Sequence, residues 1–135
     1  MPSVTITPGN VTVVSDHHLT KATGGATLTA GQFAYKDAGD NNELKAGAVT
    51  TEAAANVVGY LHGPTSDGKT AHYAATNGTE VAGGSFTKGT WYVLGAAGII
   101  QEYSDLSGGE YITWLGYGNT AGNLVLYIIA TGETK

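Results

Sequence analysis

The histidines are the first residues to weigh for chemistry. His17 and His18 follow Asp16, a set of side-chain types that can hold a metal ion. Neighbours on a strand point to opposite faces, however, so the pair reads as exposed loop histidines rather than two ligands of one ion. His62 and His72 fall on the two arms of a hairpin expected over 57–76, where they would meet as a cross-strand polar pair. Paired carboxylates could work on a glycosidic bond if they projected into a cleft. Glu102 and Glu110 are the nearest candidates, and both read as solvent-facing. The chain has no Cys, no Gly-x-Ser-x-Gly elbow and no His-Glu-x-x-His. Gly24-Gly25 and Gly108-Gly109 are not followed by Lys-Ser/Thr and a helix, so neither is a phosphate loop. The sequence therefore points away from an enzyme, and no catalytic, cofactor-binding or metal residue is assigned.

Aromatic rings remain: Trp91, Trp114, Tyr60, Tyr73, Tyr92, Tyr103, Tyr111, Tyr117 and Tyr127. Flat rings on a β-surface can stack on sugars, but they more often fill a core or an interface.

The elements that must position these rings are strands. Glu110 to Leu115 is rich in β-branched and aromatic residues, and Leu124 to Ile129 carries no charge. Gly116, Gly118, Asn119 and Gly122 supply the turn between them. In the second run Leu124, Leu126 and Ile128 share one face, and Val125, Tyr127 and Ile129 the other. A strand apolar on both faces is covered on both: one side by the domain core, the other by a second layer or a neighbouring subunit. Residues 2–14 read as strand, turn at Pro8-Gly9-Asn10, strand, with Val4 and Ile6 on one face and Val11 and Val13 on one face. They form either a hairpin on the domain or an arm laid across a neighbour. Val4, Ile6, Val11, Val13, Trp114, Val125, Tyr127 and Ile129 are thus the candidate interface residues.

Further strands are expected near 26–28, over 32–36, 44–48, 57–62, 70–76, 91–94 and 99–103, and across 81–86 with a break at Gly83-Gly84. One short helix is expected over 50–56, capped by Thr50. The chain also matches itself. Thr-x-Gly-x-aromatic occurs at 29–33 and 87–91, and a Gly-Tyr pair follows the glycine 28 and 27 residues on, at Gly59-Tyr60 and Gly116-Tyr117. The units close on Tyr73 to Gly78 and Tyr127 to Gly132. This fits an all-β fold: a small β-barrel or β-sandwich of short antiparallel strands, with two similar halves and an N-terminal hairpin or arm. Residues 1–28 are read as arm and loop of the same domain, and 29–135 as its barrel or sandwich.

The 135 residues suffice for one modest core. Charged residues make up only 13%, so the surface desolvates cheaply, which favours assembly. The six cations are scattered lysines, which argues against nucleic acid. The N-terminus does not read as a signal peptide, and no apolar run approaches membrane-spanning length. A soluble protein with no membrane partner is expected. Asn10-Val11-Thr12 and Asn77-Gly78-Thr79 match the glycosylation acceptor pattern, which has no meaning without secretion.

Three stretches resemble the small bacteriophage head decoration, or cement, proteins: Thr29 to Asp37 after a Gly-rich segment; Val57-Val58-Gly59-Tyr60-Leu61 with the Ser-Asp-Gly turn at 66–68; and Gly109 to Gly116 followed by the hairpin ending at Thr131-Gly132. The resemblance implies a compact β domain, often a homotrimer, on the outer surface of the capsid in the virion, made in the host cytoplasm. Its partners would be the phage major capsid protein and further copies of itself. Tyr60, Trp114 and Tyr117 depart from the pattern, where smaller aliphatic residues are expected. Two other readings stand beside it. One is a carbohydrate-binding β module of a phage tail fibre or cell-surface protein, which expects Trp91 or Trp114 exposed. The other is a small enzyme or metal site using His17, His18, His62 or His72.

Overall fold

The computed structural model describes residues 4–14 and 19–135. The strands are β1 (Thr12–Val13), β2 (Thr20–Thr23), β3 (Phe33–Asp37), β4 (Glu43–Ala46), β5 (Gly59–Leu61), β6 (Thr70–Ala74), β7 (Glu80–Ala82), β8 (Trp91–Leu94), β9 (Ile100–Glu102), β10 (Tyr111–Gly118) and β11 (Leu124–Thr134), with one helical turn, α1 (Glu52–Ala55). They form two antiparallel sheets, ordered β1-β7-β11-β10-β8-β9 and β2-β6-β5-β3-β4. The fold is therefore an all-β sandwich and not a closed barrel. The five-stranded sheet does curl, so that its edges touch. Gly24 bridges Leu44, and the Gly25 N–H donates to the Leu44 carbonyl at 2.8 Å. One such bridge does not make a ladder.

Strand alternation divides the apolar residues between two cores. Phe33 and Tyr60 face the six-stranded sheet and pack with Val81, Tyr92, Leu115, Leu124 and Leu126. Their neighbours Ala34 and Leu61 face the inside of the curl, with Leu28, Leu44, Ala71 and Tyr73. Burial raises the Tyr60 phenol well above its ordinary pKa, and its hydroxyl donates to the Ala82 carbonyl at 3.1 Å.

The internal match has a structural counterpart. Pairings run β4-β3-β5-β6 in one sheet and β9-β8-β10-β11 in the other. Phe33 pairs with Tyr60 as Trp91 pairs with Tyr117, and Ala34 with Gly59 as Tyr92 with Gly116. Gly31 and Gly89 both have positive φ, 90° and 80°. The closing segments, though, are offset by three residues from the sequence match. Leu61 pairs with Tyr73 whereas Gly118 pairs with Leu124, so Tyr73 corresponds to Leu124 and not to Tyr127.

The expected N-terminal hairpin does not form. Pro8–Asn10 is a 3-10 turn, and β1 pairs with β7 through Thr12–Ala82 and Val13–Val81. Residues 4–7 instead run as a strap between opposite sides of the six-stranded sheet. The Val4 N–H donates to Ile100 and the Thr7 N–H to Gly83, each at 2.8 Å. Gly84 makes room for it, since a Cβ there would lie 2.9 Å from both Ile6 Cδ1 and Val4 Cγ1. The helix is shorter than expected and is capped by Thr51, not Thr50. Thr51 Oγ1 accepts from the Ala54 N–H at 3.2 Å. Thr20 to Thr23, read as loop, is a strand, while 26–28 is not one and keeps only the Leu28–Thr65 bridge.

Candidate functional site: the outer face of the six-stranded sheet

Trp91 pairs with Tyr117, Tyr117 with Val125, and Val125 with Glu80. Directly opposed residues share a face, so these four make one row across β8, β10, β11 and β7. Trp114 pairs with Ile129, and Tyr127 lies between Val125 and Ile129 in strand alternation, on the same face. Trp114 and Tyr117 are three apart on β10 and would normally point to opposite sides. A register shift between Trp114 and Gly116 brings them together. Gly116 carries it at φ 148°, where a Cβ would collide with the Val125 carbonyl oxygen.

The rings form a continuous cluster. Trp91 lies 5.1 Å from Tyr117, 6.3 Å from Tyr127 and 6.5 Å from Trp114, and Trp114 stacks on Tyr103 at 5.7 Å with planes 15° apart. These separations are in the favourable range for aromatic pairs. The opposite face of the sheet is in the core, but this one is uncovered. Trp91 and Tyr127 are each 43% exposed and Ile129 is 47% exposed. Lys135 borders the patch, with Nζ 4.7 Å above the Tyr103 ring and donating to the Tyr103 and Leu106 carbonyls. At the far end of the row, hydrogen bonds from Asn123 and then Asn119 hold the Glu80 carboxyl below its ordinary pKa. The Asn123 Nδ2–Glu80 Oε2 distance is 2.7 Å.

The eight candidate interface residues separate into two groups. Trp114, Val125, Tyr127 and Ile129 come together on this face. Val11 and Val13 are buried in the chain's own core, and Val4 and Ile6 pack against it from the strap. Sequence reasoning did not place Trp91, Tyr103 and Tyr117 beside the first group. Their signal was aromatic type alone, and the bulge that unites them is not visible in strand periodicity.

Among the described residues the histidines do not assemble a centre. His62 and His72 meet across β5 and β6, the His62 N–H donating to the His72 carbonyl at 3.0 Å. Asp16, His17 and His18 lie outside the described residues. Among the described residues no three His, Cys, Asp or Glu side chains converge on a metal position, and no helix is long and apolar enough to cross a membrane. An open recess of 420 Å³ lies between α1 and the end of β11, lined by Glu52, Asn56, Tyr111, Thr131 and small residues. Thr113 Oγ1 at its base donates to the Ala55 carbonyl at 2.6 Å. The sequence matches no protein-family model and no curated protein.

Proposed function

We propose that this chain is a structural virion protein: a capsid decoration protein that binds the outer surface of a phage head and stabilises contacts between major capsid protein subunits. The observation that carries the reading is the apolar face on which Trp91, Tyr127 and Ile129 are exposed beside the half-buried Trp114, Tyr117 and Val125. Such a patch is the kind of surface that buries against protein. The proposed partner rests on the resemblance of residues 29–37, 57–61 with the turn at 66–68, and 109–132 to head decoration proteins. Assembly as a homotrimer on the shell fits a protein that works at many symmetric sites. No nucleic acid, membrane or cofactor enters this role. The test is binding to purified capsids that lack the protein. Tyr127→Ser with Ile129→Ser should leave the fold intact and abolish both capsid binding and the gain in capsid heat resistance. Equal binding by this variant would refute the assignment of the face.

A second reading is favoured by one observation. Trp91 is exposed, as a carbohydrate-binding module of a tail fibre or cell-surface protein requires. It predicts glycan-array binding that disappears in Trp91→Ala, and no binding to capsids.

A further inference from the structure

We infer that Asn77–Gly78 is a deamidation site which the folded chain holds in check, and that its conversion to isoaspartate opens the edge of β11. This goes beyond the proposed assembly role and does not depend on it.

An asparagine followed by glycine has the least hindered route to a succinimide, because no side chain shields the attacking nitrogen. Both residues are exposed in the turn between β6 and β7, with Gly78 at φ 93°. In the folded chain both reacting groups are engaged. The Gly78 N–H donates to the Leu126 carbonyl at 2.7 Å. The Asn77 side-chain oxygen accepts from the Ile128 N–H at 3.0 Å. The turn is anchored beside them by the Leu126 N–H, which donates to the Thr79 carbonyl at 2.8 Å, and by the buried Thr79.

These bonds lie where β11 loses its neighbour. Along β11, β7 pairs only with Leu124 and Val125, and the 77–79 turn carries the contact on to Ile128. Past Ile128, β11 continues to Thr134 with no backbone partner on that side among the described residues. The Asn77 side chain therefore stands at the boundary between the covered and open parts of the edge. Open strand edges are templates for pairing with other chains.

The reaction needs only water and a base. The Gly78 nitrogen gives up its proton and attacks Asn77 Cγ. The new N–Cγ bond forms, the Cγ–Nδ2 bond breaks, and ammonia leaves after taking a proton from solvent. Water then opens the five-membered imide at one of its two carbonyls, giving aspartate or isoaspartate. No electrons are transferred. Isoaspartate lengthens the main chain by one methylene between residues 77 and 78, which moves both hydrogen-bonding groups out of register with Leu126 and Ile128.

The experiment compares native protein with urea-unfolded protein during incubation at mildly alkaline pH. Peptide mass spectrometry follows Asn77 and separates the aspartate and isoaspartate products. Conversion should be at least about tenfold slower in the native protein, because attack requires local opening. The isoaspartate chain should lose hydrogen-exchange protection at the Ile128 amide. Asn77→Asp, which retains an acceptor oxygen, should keep that protection. Equal conversion rates in native and unfolded protein, or full Ile128 protection in the isoaspartate chain, would overturn the inference.

Discussion

Trp91 and Tyr117 oppose each other across β8 and β10 with ring centres 5.1 Å apart and planes tilted by 52°. Phe33 and Tyr60 hold the corresponding register in the other sheet, 5.3 Å apart and tilted by 58°. The internal pair is fully buried, while Trp91 is 43% exposed. The two halves of the chain thus build the same cross-strand aromatic contact, and only one half covers it.

That difference predicts unequal costs of truncation. Phe33→Ala should destabilise the fold by about 3–5 kcal/mol, as a cavity in a packed core does. Trp91→Ala should cost less than about 1.5 kcal/mol, because much of the ring already faces solvent. Urea unfolding of the two variants measures both.

Gly116→Ala should be among the most damaging small substitutions. At φ 148° an L-residue is strained, and the added methyl meets the Val125 carbonyl. A loss of about 2 kcal/mol or more is expected. A lower urea midpoint should accompany loss of Trp91–Tyr117 proximity, read by near-ultraviolet circular dichroism.

Thr113→Val keeps the shape of a buried side chain and removes its hydroxyl. The Ala55 carbonyl, which accepts that hydroxyl at 2.6 Å, would keep only the Val57 N–H, at 3.0 Å. A loss of about 0.5–1.5 kcal/mol, that of one net hydrogen bond, is expected from calorimetry or urea unfolding.

Acid should weaken the link between the β10–β11 turn and β7. The Glu80 pKa is lowered in the folded chain by Asn123 and then Asn119, so its contribution is present above the unfolded carboxylate value. It is lost as pH falls through the lower folded value. Glu80→Gln should remove this part of the pH dependence. The difference in stability between wild type and variant should shrink from neutral pH towards strongly acidic pH, and melting curves across that range would show it. Asp37 behaves in the same sense. Its hydrogen bond with Lys45 and the Gly39 N–H lower its pKa, and that contribution also fades on acidification.

Much of the fold was legible because its strands follow β-branched, aromatic or alternating patterns. Runs such as 57–62, 70–76, 110–115 and 124–129 show apolar residues that must be buried on at least one side. β2 was not legible, since Thr20 to Thr23 offer only Ala22 as an apolar residue and are mostly exposed, and β6 defines that strand by pairing with it. The N-terminal segment showed the right apolar residues but could not show their partners. Val11 and Val13 look the same in sequence whether they meet their own chain or another. The site was legible in half. Alternation placed Val125, Tyr127 and Ile129 on a second apolar face, while the gathering of Trp91, Tyr103, Trp114 and Tyr117 depends on a backbone irregularity at a single glycine.

The strap at residues 4–7 also orders events in time. Ribosomes make it before any of the elements it fastens, yet its two anchor carbonyls belong to Gly83 and Ile100. It must remain outside the nascent structure until both have been synthesised and brought close, so it docks late. Once docked, a piece of chain made before the strands it joins becomes the latch on the finished domain.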